Sequence, residues 1–163
     1  MKPFTYLGAI AVLGISAAAG AAPPDAEVMA PIRLMTDGFN KGDMKTAATA
    51  ISPTGIVIID EIPPHVWAGP DAFESWGKAF AAADQAQGNT DDLETYGKPT
   101  RVVVSAERGY VVLPAIYTFK QKGVAMREVA QIVYTLQKGT SGWLVTSFSW
   151  VGTKPKPVAG AAK

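Results

Sequence analysis

Between Thr100 and Val151 the chain falls into four alternating runs separated by short glycine-bearing turns, and no other feature narrows its folding options as much. The runs are TRVVVSAE, YVVLPAIYTFKQ, VAMREVAQIVYTLQ and WLVTSFSWV. Each is rich in β-branched and aromatic residues, and a period of two puts successive side chains on opposite faces of a sheet. Arg108-Gly109, Lys122-Gly123 and the stretch 138–142 supply the turns of an antiparallel meander. A weaker strand is expected over Leu93–Tyr96. A meander that buries one face needs a cover, which the rest of the chain must provide.

That cover is legible in the first half. Val28, Ile32, Met35 and Phe39 recur at three- and four-residue steps, the mark of one helix face. Asp25 is placed to cap this helix. Pro31 has no amide hydrogen, so it either kinks the helix or begins it. Gly42 suits a left-handed position after the helix end. Asp43 opens a second, short helix with Met44, Ala47, Ala48 and Ile51 inward, and Ser52-Pro53 stops it. GIVIID is too short and too β-branched for a helix, so a strand is expected over 55–61. Pro70 then takes the first position of a third helix, where a missing N–H costs nothing. Its inner face would be Phe73, Trp76, Gly77, Phe80 and Ala83, ending at Gly88-Asn89. The order predicts an α+β domain, three helices packed on one side of a curved antiparallel sheet.

Composition removes several kinds of chemistry. The chain has 163 residues, enough for one core and little for a second. It has no cysteine and one histidine, which excludes disulfides, thiolate catalysis and a multi-histidine zinc site within one chain. No metal or other cofactor is expected. Nucleophile-elbow, dinucleotide and phosphate-loop motifs are absent too. Residues 1–21 read as a secretory signal peptide: Lys2, a charge-free run, then Ala19-Gly20-Ala21 before Ala22. Cleavage would remove Lys2 and no acid, leaving side chains with no net charge. Neither a nucleic-acid partner nor a membrane partner after cleavage is expected, and a periplasmic or secreted location in a bacterium is. The domain should span 22–152. Residues 153–163, small and proline-containing, should trail as a disordered tail.

Alternation assigns the pocket face. On 124–137 the more apolar set is Val124, Met126, Glu128, Ala130, Ile132, Tyr134 and Leu136, so Glu128 should point inward. Val111, Leu113, Ala115, Tyr117 and Phe119 form the matching set on the strand before. The last run is ambiguous: Leu144, Thr146, Phe148 and Trp150 compete with Trp143, Val145 and Val151. A buried Glu128 would have a raised pKa and would make a base near neutrality; the rival reading is an ion pair with Arg101, Arg127 or a lysine. Asp60 and Glu61 lie on opposite strand faces, so one points inward if the strand stays regular to its end, with Asp60 the better candidate; the rival reading is that the strand is already leaving the sheet and both acids meet water. His65, after two prolines, is either a proton shuttle or a loop residue bonded to a carbonyl.

FNKGDMKTAATAISPTGIVIID, the corner PPHVWAGPDAF and the terminal WLVTSFSWV together resemble the NTF2-like superfamily, in particular its SnoaL-like, ketosteroid-isomerase-like proteins. The resemblance covers residues 27–152. It implies a cone with a pocket between sheet and helices, and a hydroxyl donor for a developing oxyanion, for which Tyr117 and Tyr96 are candidates. A small apolar molecule is the expected ligand, with Trp67, Tyr96, Phe148 and Trp150 as contacts, although Trp67 is also placed to anchor the corner. Glu128, Asp60, His65 and Tyr117 are the candidate catalytic set for cofactor-free isomerisation or dehydration. The alternative is a non-catalytic binding or dimerisation module that pairs through the open sheet face, with Val129, Val133 and Val145 exposed.

Overall fold

A computed structural model describes residues 24–159; the leader expected over 1–21 lies outside them, as does the end of the expected tail, 160–163. Helix α1 (Pro24–Asn40) runs through Pro31 and buries Val28, Ile32 and Met35. Gly42 follows at φ 68°, the left-handed conformation expected of it. Asp43 caps α2 (Met44–Ala48): its Oδ1 accepts from the Thr46 amide at 3.0 Å and its Oδ2 from the Thr46 hydroxyl at 2.6 Å. Strand β1 (Ile56–Ile59) follows and turns back into β2 (Val66–Gly69), pairing Ile58 with Trp67. The corner is therefore a small edge hairpin rather than a bare turn. Helix α3 (Ala72–Gln87) begins two residues beyond Pro70 and ends at Gly88 with φ 71°.

The meander comprises β3 (Asn89–Tyr96), β4 (Arg101–Val104), β5 (Arg108–Gln121), β6 (Val124–Gly139) and β7 (Gly142–Gly152). The sheet order is β2-β1-β7-β6-β5-β3, with β4 also paired to β5. All of these pairings are antiparallel except β1 with β7, which is parallel, so the sheet is mixed where a purely antiparallel one was expected. Helices α1 and α3 cover its concave side, and α2 packs against α1. Trp76 of α3 meets Phe148 of β7 edge-on with ring centroids 5.3 Å apart, and Phe39 of α1 meets Phe80 of α3 at 5.3 Å.

The ambiguous parity of β7 has a physical cause. Thr135 pairs with Ser147 and Leu136 with Val145, so Thr146 is an extra residue, a β-bulge. Before the bulge Trp143 and Val145 are buried; after it Phe148 is buried and Trp150 half-buried. Both competing sets were partly right, each on its own side of Thr146. The Thr135 hydroxyl holds the irregular stretch, 2.9 Å from the Thr146 hydroxyl and 2.6 Å from that of Ser147.

The expected tail is corrected over 153–159. The Thr153 amide and hydroxyl both donate to the Val129 carbonyl, at 3.0 and 2.8 Å. Strand β8 (Lys156–Pro157) then pairs with β6 beside Arg127 and Met126. The segment answers β6 amides and carbonyls beyond the end of β7, a demand that composition does not display.

Candidate functional site

Register builds the site. Glu94 of β3 lies opposite Tyr117 of β5, and Tyr117 opposite Glu128 of β6, so a row of three polar side chains crosses the concave face. Above it, β1 ends with Ile56 and Ile58 buried, and the alternation carries Asp60 inward. A cavity of about 110 Å³ opens between this row and helices α1 and α3. Its wall is mostly apolar and aromatic, including Phe39, Trp76, Phe80, Tyr117, Phe148 and Trp150. Five carboxyls also line it: Asp60, Glu61, Asp84, Glu94 and Glu128.

Glu128 is 1% exposed. Its Oε1 accepts from the Trp150 indole at 3.0 Å, and its carboxyl also bonds with that of Glu61. Burial pushes its carboxyl up to about 7; the Trp150 bond opposes this, and the nearby Glu61 and Asp60 charges add to it. Among the described residues it forms no ion pair with Arg101, Arg127 or a lysine. The room for its carboxyl comes from Gly152, where a Cβ would stand 1.7 Å from Glu128 Oε1 and 2.7 Å from Trp150 Nε1.

Asp60 holds two bonds, from the Ile62 amide at 3.1 Å to Oδ1 and from the Trp76 indole at 3.0 Å to Oδ2. Glu61 is raised by burial of its carboxyl and by the Asp60 charge, while a bond with Glu128 opposes the rise. Glu94 accepts from the Tyr96 hydroxyl at 2.8 Å, and Tyr96 in turn lies 2.6 Å from the Tyr134 hydroxyl. Burial raises Glu94 to about 7 against the Tyr96 bond, with Asp60 contributing. Tyr117 donates to Asp92. Burial and that bond raise its phenol above the ordinary range, which keeps its proton in place.

Glu128, Asp60 and Tyr117 thus line one cavity, with Phe148 and Trp150 on its wall. They do not bond to one another; each is held by a separate partner. His65 is not brought to them. It is exposed, with φ 73°; its amide donates to the Ile62 carbonyl at 2.8 Å and its carbonyl accepts from the Asp60 amide at 3.0 Å. The imidazole Nδ1 lies 3.3 Å from the Asp60 carbonyl oxygen, so the loop reading applies and no Asp60–His65 side-chain pair forms. Trp67 is core and Tyr96 stands behind Tyr134; neither is on the cavity wall.

Sequence reasoning missed Glu94, Asp84, Tyr134 and Asp92, and set Glu61 aside. The weak strand expected over Leu93–Tyr96 carried no parity assignment; register with Tyr117 and Ala115 turns Glu94 and Tyr96 inward and leaves Leu93 45% exposed. Tyr134 carried a usable signal, since it shares the inner parity of β6 with Glu128.

No protein-family model matches the chain, and no curated protein matches it. Solved structures do. A ketosteroid isomerase-like protein from Erwinia carotovora atroseptica is 19% identical, with a TM-score of 0.60, over 80% of this chain and 96% of its own. The hexachlorocyclohexane dehydrochlorinase LinA-type3 from Novosphingobium barchaimii is 12% identical, with a TM-score of 0.70, over 83% and 90%. The CaMKII hub from S. rosetta is 17% identical, with a TM-score of 0.65, over 81% and 98%. The chain has the NTF2-like, ketosteroid-isomerase-like fold, a curved, unclosed sheet with helices across its hollow.

Proposed function

We propose that this chain binds a small, mostly apolar molecule in its cone and moves a proton on it without a cofactor, as an isomerase or lyase does, with Glu128 as the base. The observation that carries this reading is a fully buried carboxyl, raised to about 7, on the wall of an aromatic cavity. A base with its pKa near the working pH is the form that proton abstraction from carbon requires. Asp60 and Glu61 tune it by their charge, and Tyr117 holds a proton on the same wall. Two structural neighbours are named for an isomerase-like protein and a dehydrochlorinase, which agrees with such chemistry. The charge-free run before Ala22 supports a periplasmic or secreted setting.

The test is the conversion of 3-cyclohexen-1-one to its conjugated isomer, followed by ultraviolet absorbance. Glu128→Gln should slow it by about 10²–10⁴-fold, the usual worth of a positioned base. An unchanged rate would remove Glu128 from the role.

A second reading, pairing of two copies through the sheet face, is favoured by one observation. Val57, Ile59, Val129 and Val151 stand 42–57% exposed together on the convex side. Val145 does not belong to that face: it is fully buried, because it precedes the bulge.

A further inference from the structure

The charge in the cavity is one-sided. Over the whole chain, 15 basic residues nearly balance 14 acidic ones, yet among the described residues five acids line this cavity and no lysine, arginine or histidine does. Buried carboxylates are ordinarily paired with a cation or coordinate a metal. Here the partners are neutral donors: Trp150 for the buried Glu128, and Trp76, Tyr96 and Asn89 for the half-buried Asp60, Glu94 and Asp84. Glu128, 99% buried, has the Trp150 indole and the Glu61 carboxyl as its partners, and neither brings a positive charge. The remaining wall is largely aromatic, and ring faces attract cations by their quadrupole.

We propose that the ligand of this cavity is an organic cation: a ring-sized apolar body bearing one protonated amine, its charge directed to the corner formed by Asp60, Glu61 and Glu128. This rests on the cavity being the binding site, as proposed above, and it deepens that reading by naming the ligand's charge. The cation is organic rather than metallic because no three acids among the described residues stand close enough together to hold a metal ion. Spread carboxyls and aromatic walls suit a diffuse charge on an apolar frame. The cavity, at about 110 Å³, is near the roughly 150 Å³ of a protein void that holds benzene, so one ring is the natural scale.

Protonation of the acids competes with such a ligand. Glu128 faces Asp60 and Glu61 from the loop after β1 and Tyr117 from β5; Glu94 faces Asp60, Tyr96 and Tyr134; Asp84 faces Asp92. All of these are acids or phenols, so affinity for a cation should rise as pH rises through 7.

Calorimetric titration of the full chain with benzylamine and with its neutral counterpart benzyl alcohol tests this. At pH 8 benzylamine should bind at least tenfold more tightly, and Glu128→Gln should remove most of that preference. At pH 5.5 the preference should shrink. If benzyl alcohol binds as tightly as benzylamine at pH 8, the charge assignment is overturned while the cavity remains the binding site. If neither probe binds at pH 8, the cavity reading fails as well.

Discussion

Gly152→Ala tests whether empty space beside Glu128 sets the geometry of the site. Gly152 has no left-handed backbone, so alanine fits the strand and the cost is steric alone. The new Cβ would stand 1.7 Å from Glu128 Oε1 and 2.9 Å from Cδ. Non-bonded atoms settle near 3.5 Å, so the carboxyl must withdraw by roughly 1.8 Å. That breaks its 3.0 Å bond from Trp150. A shift above about 1 Å at a reacting group costs on the order of 10²-fold in rate, and overpacking costs about 1–3 kcal/mol of stability. The assay is the Trp150 indole N–H resonance across pH. In the native chain it should respond near pH 7, as its acceptor Glu128 ionises. In the variant that response should vanish, because Glu128 has left. Gly97→Ala is the control, since a Cβ there meets Pro114 at an ordinary 3.5 Å. If Gly152→Ala keeps the Trp150 response at the same midpoint and melts like the native chain, the space at Gly152 does not position Glu128.

Glu128→Gln should also change the pH dependence of stability. The carboxyl rises from an ordinary 4.5 to about 7 on folding, so the folded state binds its proton more tightly than the unfolded state. Stability from this group is full below pH 4.5 and is lost as pH rises through 7. At pH 8 the variant should gain about 3 kcal/mol over the native chain in urea melts, and at pH 4 nothing. Asp43→Ala should cost about 1 kcal/mol by thermal melting through loss of the α2 cap, with the cavity unaffected. Val129→Lys should convert a sheet-face dimer to monomer in sedimentation velocity; if the native chain sediments as a monomer at high concentration, the pairing reading fails. Expressed from the full sequence in a bacterium, the protein should show by intact mass the loss of residues 1–21; an uncut mass would overturn the leader reading.

Helices and central strands were legible because burial writes a period into them: α1, α3, β5 and β6 all followed their apolar residues. Three features escaped for separable reasons. The bulge at Thr146 shifts parity by one residue, and no composition marks the place. β2 and β8, four and two residues long, are too short to write an apolar period into the sequence. Glu94 faces inward against hydrophobic logic because the concave face is a site, and sites depart from the pattern that cores obey. The same departure is why Glu128 was visible: it sat in an apolar set to which it did not belong. Gly152 was invisible, since its role is to contribute no atoms.

The segment after β7 also closes the hollow. Pro155 forms part of the cavity wall, yet among the described residues it follows every long strand. A chain cut just before it would keep the helices and the long strands while that flank of the cavity stood open to water.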